Sequence, residues 1–270
     1  RRLALENPKE HKPMDKDTAQ KLAQSLTADS ADIIPFLPYL LQDLWELGSS
    51  PEEMLALLRQ NVTVFPGFAA LDLGCGKGAV SVALASRLGI RMRGIDIMED
   101  FIRTAKQKAA EYGVSRLCEF VAGDIINAVG SEQGYDLVIY GAVGDVLGTR
   151  AEILHALKSA VKPGGYILLD DAYRPNDAGN ALSGEYPALA EWRALIEQAG
   201  LSLIALSDAP ERPDDDARDF ECIRRRAQEL TAAYPQHRDL FERYVKSQRD
   251  EYDDLAEKIV GAVFLLKKPE

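Results

Sequence analysis

The feature of this sequence that most constrains its fold is a glycine-rich segment at a strand-to-helix junction, Leu71-Asp72-Leu73-Gly74-Cys75-Gly76-Lys77-Gly78. A short apolar run leads into the segment and predicts a strand, and the residues after it have helical spacing. Glycines at such a junction permit positive φ angles and let the backbone approach a ligand closely. The following helix N-terminus presents unpaired N–H groups with a partial positive charge. The segment therefore predicts a site for a ligand carboxylate or phosphate.

Short apolar runs alternate with helical patterns along most of the chain. Strands are predicted over residues 68–73, 91–97, 118–122, 137–143, 166–170, 201–206 and 259–267. Helices are predicted over residues 78–88, 99–112, 150–161 and 185–199, with a turn at 163–165. This alternation is typical of an α/β protein with a mostly parallel seven-stranded sheet and helices on both faces.

Two helical additions accompany the alternating segment. We predict a helical N-terminal extension over residues 1–66 and a core over residues 67–270, with a helical insertion over residues 211–258. The insertion either packs against the core as an ordinary structural element or covers the active site. The sequence leaves both interpretations open.

The N-terminal extension begins with a polar leader and continues with helical patterns. A short helix is predicted over residues 16–26, and helical spacing resumes from Tyr39. Ser50-Pro51 is typical of a helix start, because serine is a good N-cap and proline suits the first helical position. Glu53 is placed to complete a capping box.

Charge, cysteine and histidine content restrict the functional classes. The net charge is −11, whereas an extended nucleic-acid surface needs clustered Lys and Arg. The three cysteines lack disulfide or zinc spacing, so we expect free thiols. None of the three histidines has a second His or Cys within ligand spacing, so we expect no metal. No apolar run approaches the roughly 20 residues that cross a bilayer, and no secretory leader is evident. We expect a cytoplasmic protein with neither a membrane nor a nucleic-acid partner.

Acidic residues end the second and third predicted strands. Asp96 closes Gly94-Ile95-Asp96, and Asp124 follows Gly123. Because open α/β sheets bind ligands at the carboxyl ends of their strands, both acids are expected at the site. Asp96 can accept hydrogen bonds from both ribose hydroxyls, each worth roughly 1.5–3 kcal/mol. Asp124 is placed to accept from an adenine amino group, with Ile125 against the ring.

The glycine segment also fits a dinucleotide-binding pattern, so an oxidoreductase has to be considered. Gly74, Gly76 and Ala79 match G-x-G-x-x-G/A. Against this, Asp72 stands where a dinucleotide fold usually has an apolar residue, and Gly78 gives the spacing D-x-G-x-G-x-G. The chain contains no Tyr-x-x-x-Lys pair, and no separate substrate domain follows the predicted sheet.

Five segments together resemble the class I S-adenosylmethionine-dependent methyltransferases. The segments that resemble the family's motifs are Asp72–Gly78, Gly94–Asp96, Gly123–Ile125, Gly134–Tyr140 and Leu157–Tyr166. The resemblance covers roughly residues 67–209 and the final strand. It implies a Rossmann-like methyltransferase fold with an antiparallel last strand. It also implies S-adenosylmethionine as cofactor and S-adenosylhomocysteine as product. The long insertion before the last strand departs from the family's usual short hairpin.

The resemblance also implies roles for individual residues. The loop from Gly74 to Gly78 would cradle the methionyl part of the cofactor, and Asp72 would lie near its ammonium group. Asp96 would bind the ribose. The residues expected at the cofactor are Asp72, Gly74, Cys75, Gly76, Gly78, Asp96, Ile97, Asp124, Ile125, Tyr140 and Gly141. Of these, Tyr140 and Gly141 would border the methyl group.

Methyl transfer is an in-line displacement, for which alignment of nucleophile and methyl group can supply roughly 7–11 kcal/mol. A general base is needed only where the acceptor must lose a proton. Tyr140, Asp145, Asp171 and Tyr173 are the predicted catalytic residues, and a structural role is the alternative for each. Asp170 is a further candidate facing the cleft.

Asp170-Asp171 also resembles the magnesium site of catechol-type O-methyltransferases. That site requires an acid directly after the fourth strand, where Gly141 and Ala142 stand here, so no metal is predicted. We predict an S-adenosylmethionine-dependent methyltransferase with a small-molecule acceptor. The alternatives are an NAD-type oxidoreductase and a non-catalytic S-adenosylmethionine-binding module, and the acceptor and the oligomeric state stay open.

Overall fold

The computed structural model describes residues 14–175, 186–210 and 213–270. The first 13 residues of the predicted leader and the first residue of the helix predicted over 185–199 lie outside the described residues. Contacts within the chain define two compact units. One contains residues 14–44 and 213–257, and the other contains residues 45–175, 186–210 and 258–270.

The second unit is built on a seven-stranded sheet in the order β3-β2-β1-β4-β5-β7-β6. The strands are β1 (Ala69–Leu73), β2 (Arg91–Asp96), β3 (Cys118–Ala122), β4 (Tyr135–Gly141), β5 (Val161–Tyr173), β6 (Ser202–Asp208) and β7 (Val260–Lys267). Pairing is parallel from β3 through β5, and β7 is antiparallel to both of its neighbours. The predicted mostly parallel sheet with an antiparallel last strand is confirmed.

Ten α-helices are assigned within the described residues. They are α1 (Lys16–Ser25), α2 (Leu37–Leu40), α3 (Pro51–Asn61), α4 (Ala79–Leu88), α5 (Glu99–Glu111), α6 (Ile125–Ala128), α7 (Arg150–Ala160), α8 (Leu189–Gln198), α9 (Pro213–Ala233) and α10 (Arg238–Glu257). Short 3-10 helices lie at Ala31–Phe36, Gly144–Leu147 and Pro235–His237. At the start of α3, the Ser50 hydroxyl accepts from the Glu53 N–H at 3.4 Å, so Ser50 is the predicted N-cap.

Apolar side chains cover both faces of the sheet. One layer joins the sheet to α3, α4 and α5 and contains Leu58, Val82 and Leu168. The other joins the sheet to α7 and α8 and contains Ile167 and Trp192. Successive residues of β5 therefore point into opposite layers, as strand geometry requires. A parallel sheet buried on both faces gives continuous apolar runs, which is the pattern that the sequence shows.

The first unit buries its own small core. The Phe36 ring lies 4.9 Å from that of Phe241 and 5.5 Å from that of Tyr234, measured between centroids. The Arg226 guanidinium binds both carboxylate oxygens of Asp43, at 2.7 and 2.8 Å. Such a bidentate pair fixes the orientation of both side chains. The insertion therefore buries Phe241 inside this unit.

Three details differ from the sequence prediction. The helix predicted from Tyr39 is only the four-residue α2, which ends at Leu40. The turn predicted at residues 163–165 lies inside β5, where the register against β4 shifts between Tyr135 and Leu137. Residues 45–66 belong to the unit that contains the sheet, because α3 packs against the sheet. The boundary between the two units defined by contacts therefore lies at residue 45, whereas the predicted extension ends at residue 66.

No helix in the described part of the chain is long and apolar enough to span a bilayer.

Candidate functional site

The glycine segment forms a loop of left-handed backbone between β1 and α4. Gly74, Gly76 and Gly78 have φ angles of 74°, 52° and 77°. A Cβ atom on Gly74 would lie 2.6 Å from Val143 Cγ2, so a side chain is excluded by space as well as by backbone conformation. Gly78 is the N-cap of α4 and provides no side-chain cap. Because glycine has no side chain, Gly78 leaves the first N–H groups of this ten-residue helix without a side-chain acceptor, and an anionic ligand group could accept from them.

Asp96 joins the end of β2 to this loop. Its Oδ2 atom accepts from the Gly76 N–H and its Oδ1 atom accepts from the Met98 N–H, both at 2.8 Å. The Ile95 carbonyl accepts from the N–H groups of Gly74 and Cys75, which ties the same two segments together. Burial raises the pKa of Asp96 to about 6, against the opposing effect of the two backbone donors. A carboxylate has about four lone-pair positions, so each oxygen can still accept a ligand hydroxyl.

Asp72 lies in β1 below the loop. Its side chain is 4% exposed, and Oδ2 accepts from the Ser81 hydroxyl at 2.6 Å. Burial raises its pKa to about 7, and the neighbouring Asp96 charge acts in the same direction. An unpaired buried carboxylate is unfavourable, so a bound cation would offset the cost of keeping Asp72 ionised.

Replacing Asp72 by asparagine is expected to stabilise the ligand-free protein more at pH 8 than at pH 4. The folded protein binds the Asp72 proton more tightly than the unfolded chain, so its free energy of unfolding falls as the pH rises from about 4 to about 7. Asparagine does not titrate, and Ser81 can still donate to its amide oxygen. The difference between variant and wild type should grow by at least about 1 kcal/mol, since one pKa unit corresponds to about 1.4 kcal/mol. Urea denaturation across this range measures it, with the exposed Glu119→Gln as control. A pH-independent difference would contradict the expectation.

Asp124 caps the short helix α6. Its Oδ1 atom accepts from the Ile126 N–H at 2.8 Å, and its Oδ2 atom accepts from the Asn127 side-chain amide at 2.9 Å. Ile125 is buried beside it. Each carboxylate oxygen of Asp124 keeps a free lone-pair position, so the adenine contact stays a prediction.

Two other predicted cofactor residues differ in what they offer a ligand. Cys75 is buried, and a Cβ atom on Gly94 would lie 2.9 Å from its sulfur. The Cys75 side chain therefore packs inside the fold, and this burial raises the pKa of its thiol well above the usual range. Ile97 follows Asp96 and is half-buried.

Tyr140 does not face the cleft, contrary to the sequence prediction. Its side chain is 1% exposed and packs in the apolar layer with Val138 and Ile153. Its hydroxyl donates to the Gly144 carbonyl at 2.7 Å. Burial raises the pKa of Tyr140, which disfavours proton loss. The placement supports a structural role at the end of β4, whereas the adjoining Gly141 lies at the carboxyl edge of the sheet.

The other predicted catalytic residues lie near the ends of β4 and β5. Asp145 is exposed, and its Oδ1 atom lies 2.5 Å from Arg150 Nη1. Arg150 Nε lies 3.8 Å from Asp171 Oδ2, so one guanidinium holds both acids. The Tyr173 hydroxyl donates to Asp208 at 3.0 Å. Each side chain has a structural partner, and catalytic roles for Asp145, Asp171 and Tyr173 stay predictions.

Asp170 and Asp171 face opposite sides of the sheet. Asp170 is beside Ser49 and Glu53, whereas Asp171 is beside Arg150. Adjacent strand residues cannot turn both carboxylates toward one ion without distorting the strand. Within the described residues, no group of three or more His, Cys, Asp and Glu side chains is arranged to hold a metal.

A segment before α3, for which the family resemblance implies a place over the substrate pocket and packing on the core is the alternative, lies against the glycine loop. The Trp45 indole N–H donates to the Lys77 carbonyl of the glycine loop at 3.1 Å. A Cβ atom on Gly76 would lie 3.4 Å from Leu47 Cδ1, and one on Gly48 would lie 2.6 Å from Ala142 Cβ. The segment thus runs from the glycine loop to the end of β4.

The fold and the site define a Rossmann-like α/β protein with a glycine loop and strand-end acids suited to a nucleoside ligand. Residues 65–203, just over half of the chain, match the model of a family described as "Methyltransferase domain". The chain belongs to this family, which confirms the resemblance inferred from the motifs.

Two curated relatives are similar to part of the chain. The Escherichia coli protein YjhP is 34% identical over 122 residues, which cover 45% of this chain and 49% of YjhP. The Leptothrix cholodnii ubiquinone biosynthesis O-methyltransferase is 34% identical over 121 residues, covering 43% and 49% of the two chains. The chain thus spans about half the length of these relatives.

Solved structures share the fold over most of their length. A Geobacter sulfurreducens S-adenosylmethionine-dependent methyltransferase, crystallised with S-adenosylhomocysteine, gives a TM-score of 0.71 at 23% identity, covering 87% of this chain and 98% of its own. The X-ray structure of YjhP gives 0.69 at 21% identity, covering 92% and 98%. The predicted Rossmann-like methyltransferase fold is confirmed.

Proposed function

We propose that the protein transfers the methyl group of S-adenosylmethionine to a small-molecule acceptor and releases S-adenosylhomocysteine. The observation that carries this proposal is the hydrogen bond from the Gly76 N–H to Asp96, which holds the acid expected to bind the ribose against the glycine loop. The glycine loop after β1 and Asp96 at the end of β2 can then bind two different parts of one nucleoside ligand.

The residues present fit this cofactor. The positive-φ glycines let the loop backbone turn with no side chain between it and its neighbours, and the start of α4 suits the methionyl carboxylate. Burial disfavours the ionised form of Asp72, and the positive charge of the ammonium group would stabilise it. Asp96 would accept from the ribose hydroxyls, and Asp124 with Ile125 would contact the adenine.

Bound S-adenosylmethionine supplies an already activated sulfonium methyl group. The protein would then orient the acceptor in line with that group and exclude water from it. A small acceptor is supported by the net charge of −11, which disfavours a polyanionic polymer. The relative from Leptothrix is named as an O-methyltransferase of ubiquinone biosynthesis, which supports a small acceptor in the same way. The free cysteines, Cys75, Cys118 and Cys222, support a reducing, cytoplasmic location.

Calorimetric titration of the wild-type protein with S-adenosylmethionine, S-adenosylhomocysteine and NAD tests the cofactor. We expect saturable binding of the two S-adenosyl ligands and none of NAD. Binding of NAD alone by folded protein would instead favour the oxidoreductase.

Incubation with methyl-labelled S-adenosylmethionine and a cell extract tests catalysis. We expect S-adenosylhomocysteine to form together with a labelled small molecule. Binding without turnover in any extract tested would favour the non-catalytic module, and label in protein or nucleic acid would contradict a small acceptor.

A further inference from the structure

A group of polar side chains at the carboxyl end of β5 is not used by the proposed cofactor contacts. Asp170 pairs in register with Gly141 of β4 and with Val263 of β7. A Cβ atom on Gly141 would lie 2.5 Å from Ser49 Oγ, so Ser49 covers that glycine and lies beside Asp170. Glu53, in the first turn of α3, faces the same carboxyl group. Ser49, Glu53 and Asp170 are called the β5 polar cluster.

The β5 polar cluster has hydrogen-bonding capacity to spare. Ser49 is 7% exposed, and its hydroxyl makes no hydrogen bond of ordinary geometry within the described part of the chain; the acceptor beside it is the Asp170 carboxyl group, on which it acts. Buried polar groups in native proteins are nearly always paired, so an unpaired one requires an explanation. Asp170 takes part in no ion pair among the described residues. Ser49 can therefore donate to Asp170 and orient it, and a ligand can donate to the remaining lone pairs of the Asp170 carboxylate.

The charge of the cluster is negative. The charges of Glu53 in α3 and of Asp171, the next residue in β5, act on Asp170, while its partners in β4 and β7 are the non-ionisable Gly141 and Val263. Burial and these two acids raise the pKa of Asp170 to about 7, and Ser49 opposes the shift. Such surroundings favour a neutral or cationic hydrogen-bond donor and disfavour an anion.

The cluster adjoins the glycine loop. Val143, two residues after Gly141, is in contact with Gly74, and the segment that ends in Ser49 begins at Leu47 against Gly76. Adjacent strands are about 4.8 Å apart, so β1 and β5 lie only about 10 Å from each other across β4. The β5 polar cluster is thus next to the loop that would hold the methionyl part of the cofactor.

We propose that the β5 polar cluster binds the methyl acceptor, with Asp170 as general base and Ser49 as a positioning residue. The acceptor is then a neutral or cationic proton-bearing group, a hydroxyl or an amine, and not a carboxylate or phosphate. This inference rests on the proposed function. A bond forms between the acceptor oxygen or nitrogen and the methyl carbon while the methyl–sulfur bond breaks. The electron pair of that bond passes to sulfur. A hydroxyl gives its proton to Asp170 as the bond forms, whereas a protonated amine must first give a proton to Asp170, which frees the lone pair that attacks the methyl carbon.

Sinefungin tests this without knowledge of the acceptor, because it carries a C–NH₃⁺ group where S-adenosylmethionine carries S⁺–CH₃. The quantity compared is the ratio of its Kd to that of S-adenosylhomocysteine, measured by calorimetry at pH 8. Asp170→Asn should weaken sinefungin by about tenfold, since a charge-assisted hydrogen bond is lost, and leave S-adenosylhomocysteine within about twofold. Ser49→Ala should have a smaller effect in the same direction, and the exposed Glu119→Gln should have none.

The pH dependence provides a second readout. In the wild type, the preference for sinefungin should rise as the pH passes through about 7, because Asp170 becomes ionised while the amine stays protonated. In Asp170→Asn this dependence should be absent. An unchanged Kd ratio in Asp170→Asn, or an equal loss of both ligands, would overturn the inference. Failure of the wild type to bind S-adenosylhomocysteine would instead overturn the proposed function.

Discussion

Replacement of Asp96 by alanine is expected to weaken S-adenosylhomocysteine binding by at least about 100-fold, because two hydrogen bonds to a charged group would be lost. The same change removes the acceptor of the Gly76 and Met98 N–H groups, so the glycine loop also loses its attachment to β2. Both effects act on the ligand, one directly and one through the loop. Calorimetric titration measures the loss.

Two matched variants separate these effects. Asp96→Asn keeps one oxygen acceptor and should lose less affinity than the alanine variant. Glu111→Ala removes an exposed acid at the end of α5 and should bind as the wild type does. Circular dichroism verifies that each variant is folded. Wild-type affinity in folded Asp96→Ala would contradict both the ribose contact and the role of the loop attachment.

Replacement of Trp192 by alanine is expected to lower the free energy of unfolding by about 3–5 kcal/mol, as for other large buried aromatic residues. Trp192 is fully buried, its ring centroid lies 5.2 Å from that of Phe264 in β7, and its indole N–H donates to the Ala172 carbonyl of β5. The variant loses apolar contacts and leaves a cavity between α8 and the antiparallel part of the sheet. Urea denaturation at pH 8 measures the change.

A graded series tests the physical cause of this loss. Trp192→Phe keeps a ring against Phe264 but loses the hydrogen bond, so it should fall between wild type and alanine. Phe65→Ala removes an aromatic side chain that is 47% exposed and should cost much less. Equal losses for the two alanine variants would show that burial of Trp192 is not what stabilises the fold.

Much of the sheet was predictable because parallel strands buried on both faces give apolar runs separated by helical patterns. Asp96 and the glycine loop were predictable for the same reason, since both stand at strand ends. Tyr140 shows the limit of that reasoning. In a strand covered on both faces, alternation does not tell which side chain faces a cleft, and the Gly144 carbonyl that fixes its hydroxyl comes from the following turn.

The β5 polar cluster shows a second limit. Ser49 and Asp170 lie far apart in the sequence and become neighbours only because β4 and β5 pair while the segment before α3 covers Gly141. Sequence reasoning assigned Ser50 correctly as an N-cap, but local spacing carries no information on where the preceding hydroxyl lies. Contacts between distant segments require the fold itself.

The chain contains two tryptophans, and the structure places them in contrasting surroundings. Trp45 is hydrogen-bonded to the glycine loop, and the Lys108 ammonium lies 5.3 Å from its ring, whereas Trp192 is enclosed in the apolar layer on the other side of the sheet. Indole fluorescence depends on the polarity around the ring. We therefore expect the fluorescence of Trp45 to report on ligand binding at the glycine loop, while the buried Trp192 serves as an internal reference, so that binding can be followed without any label.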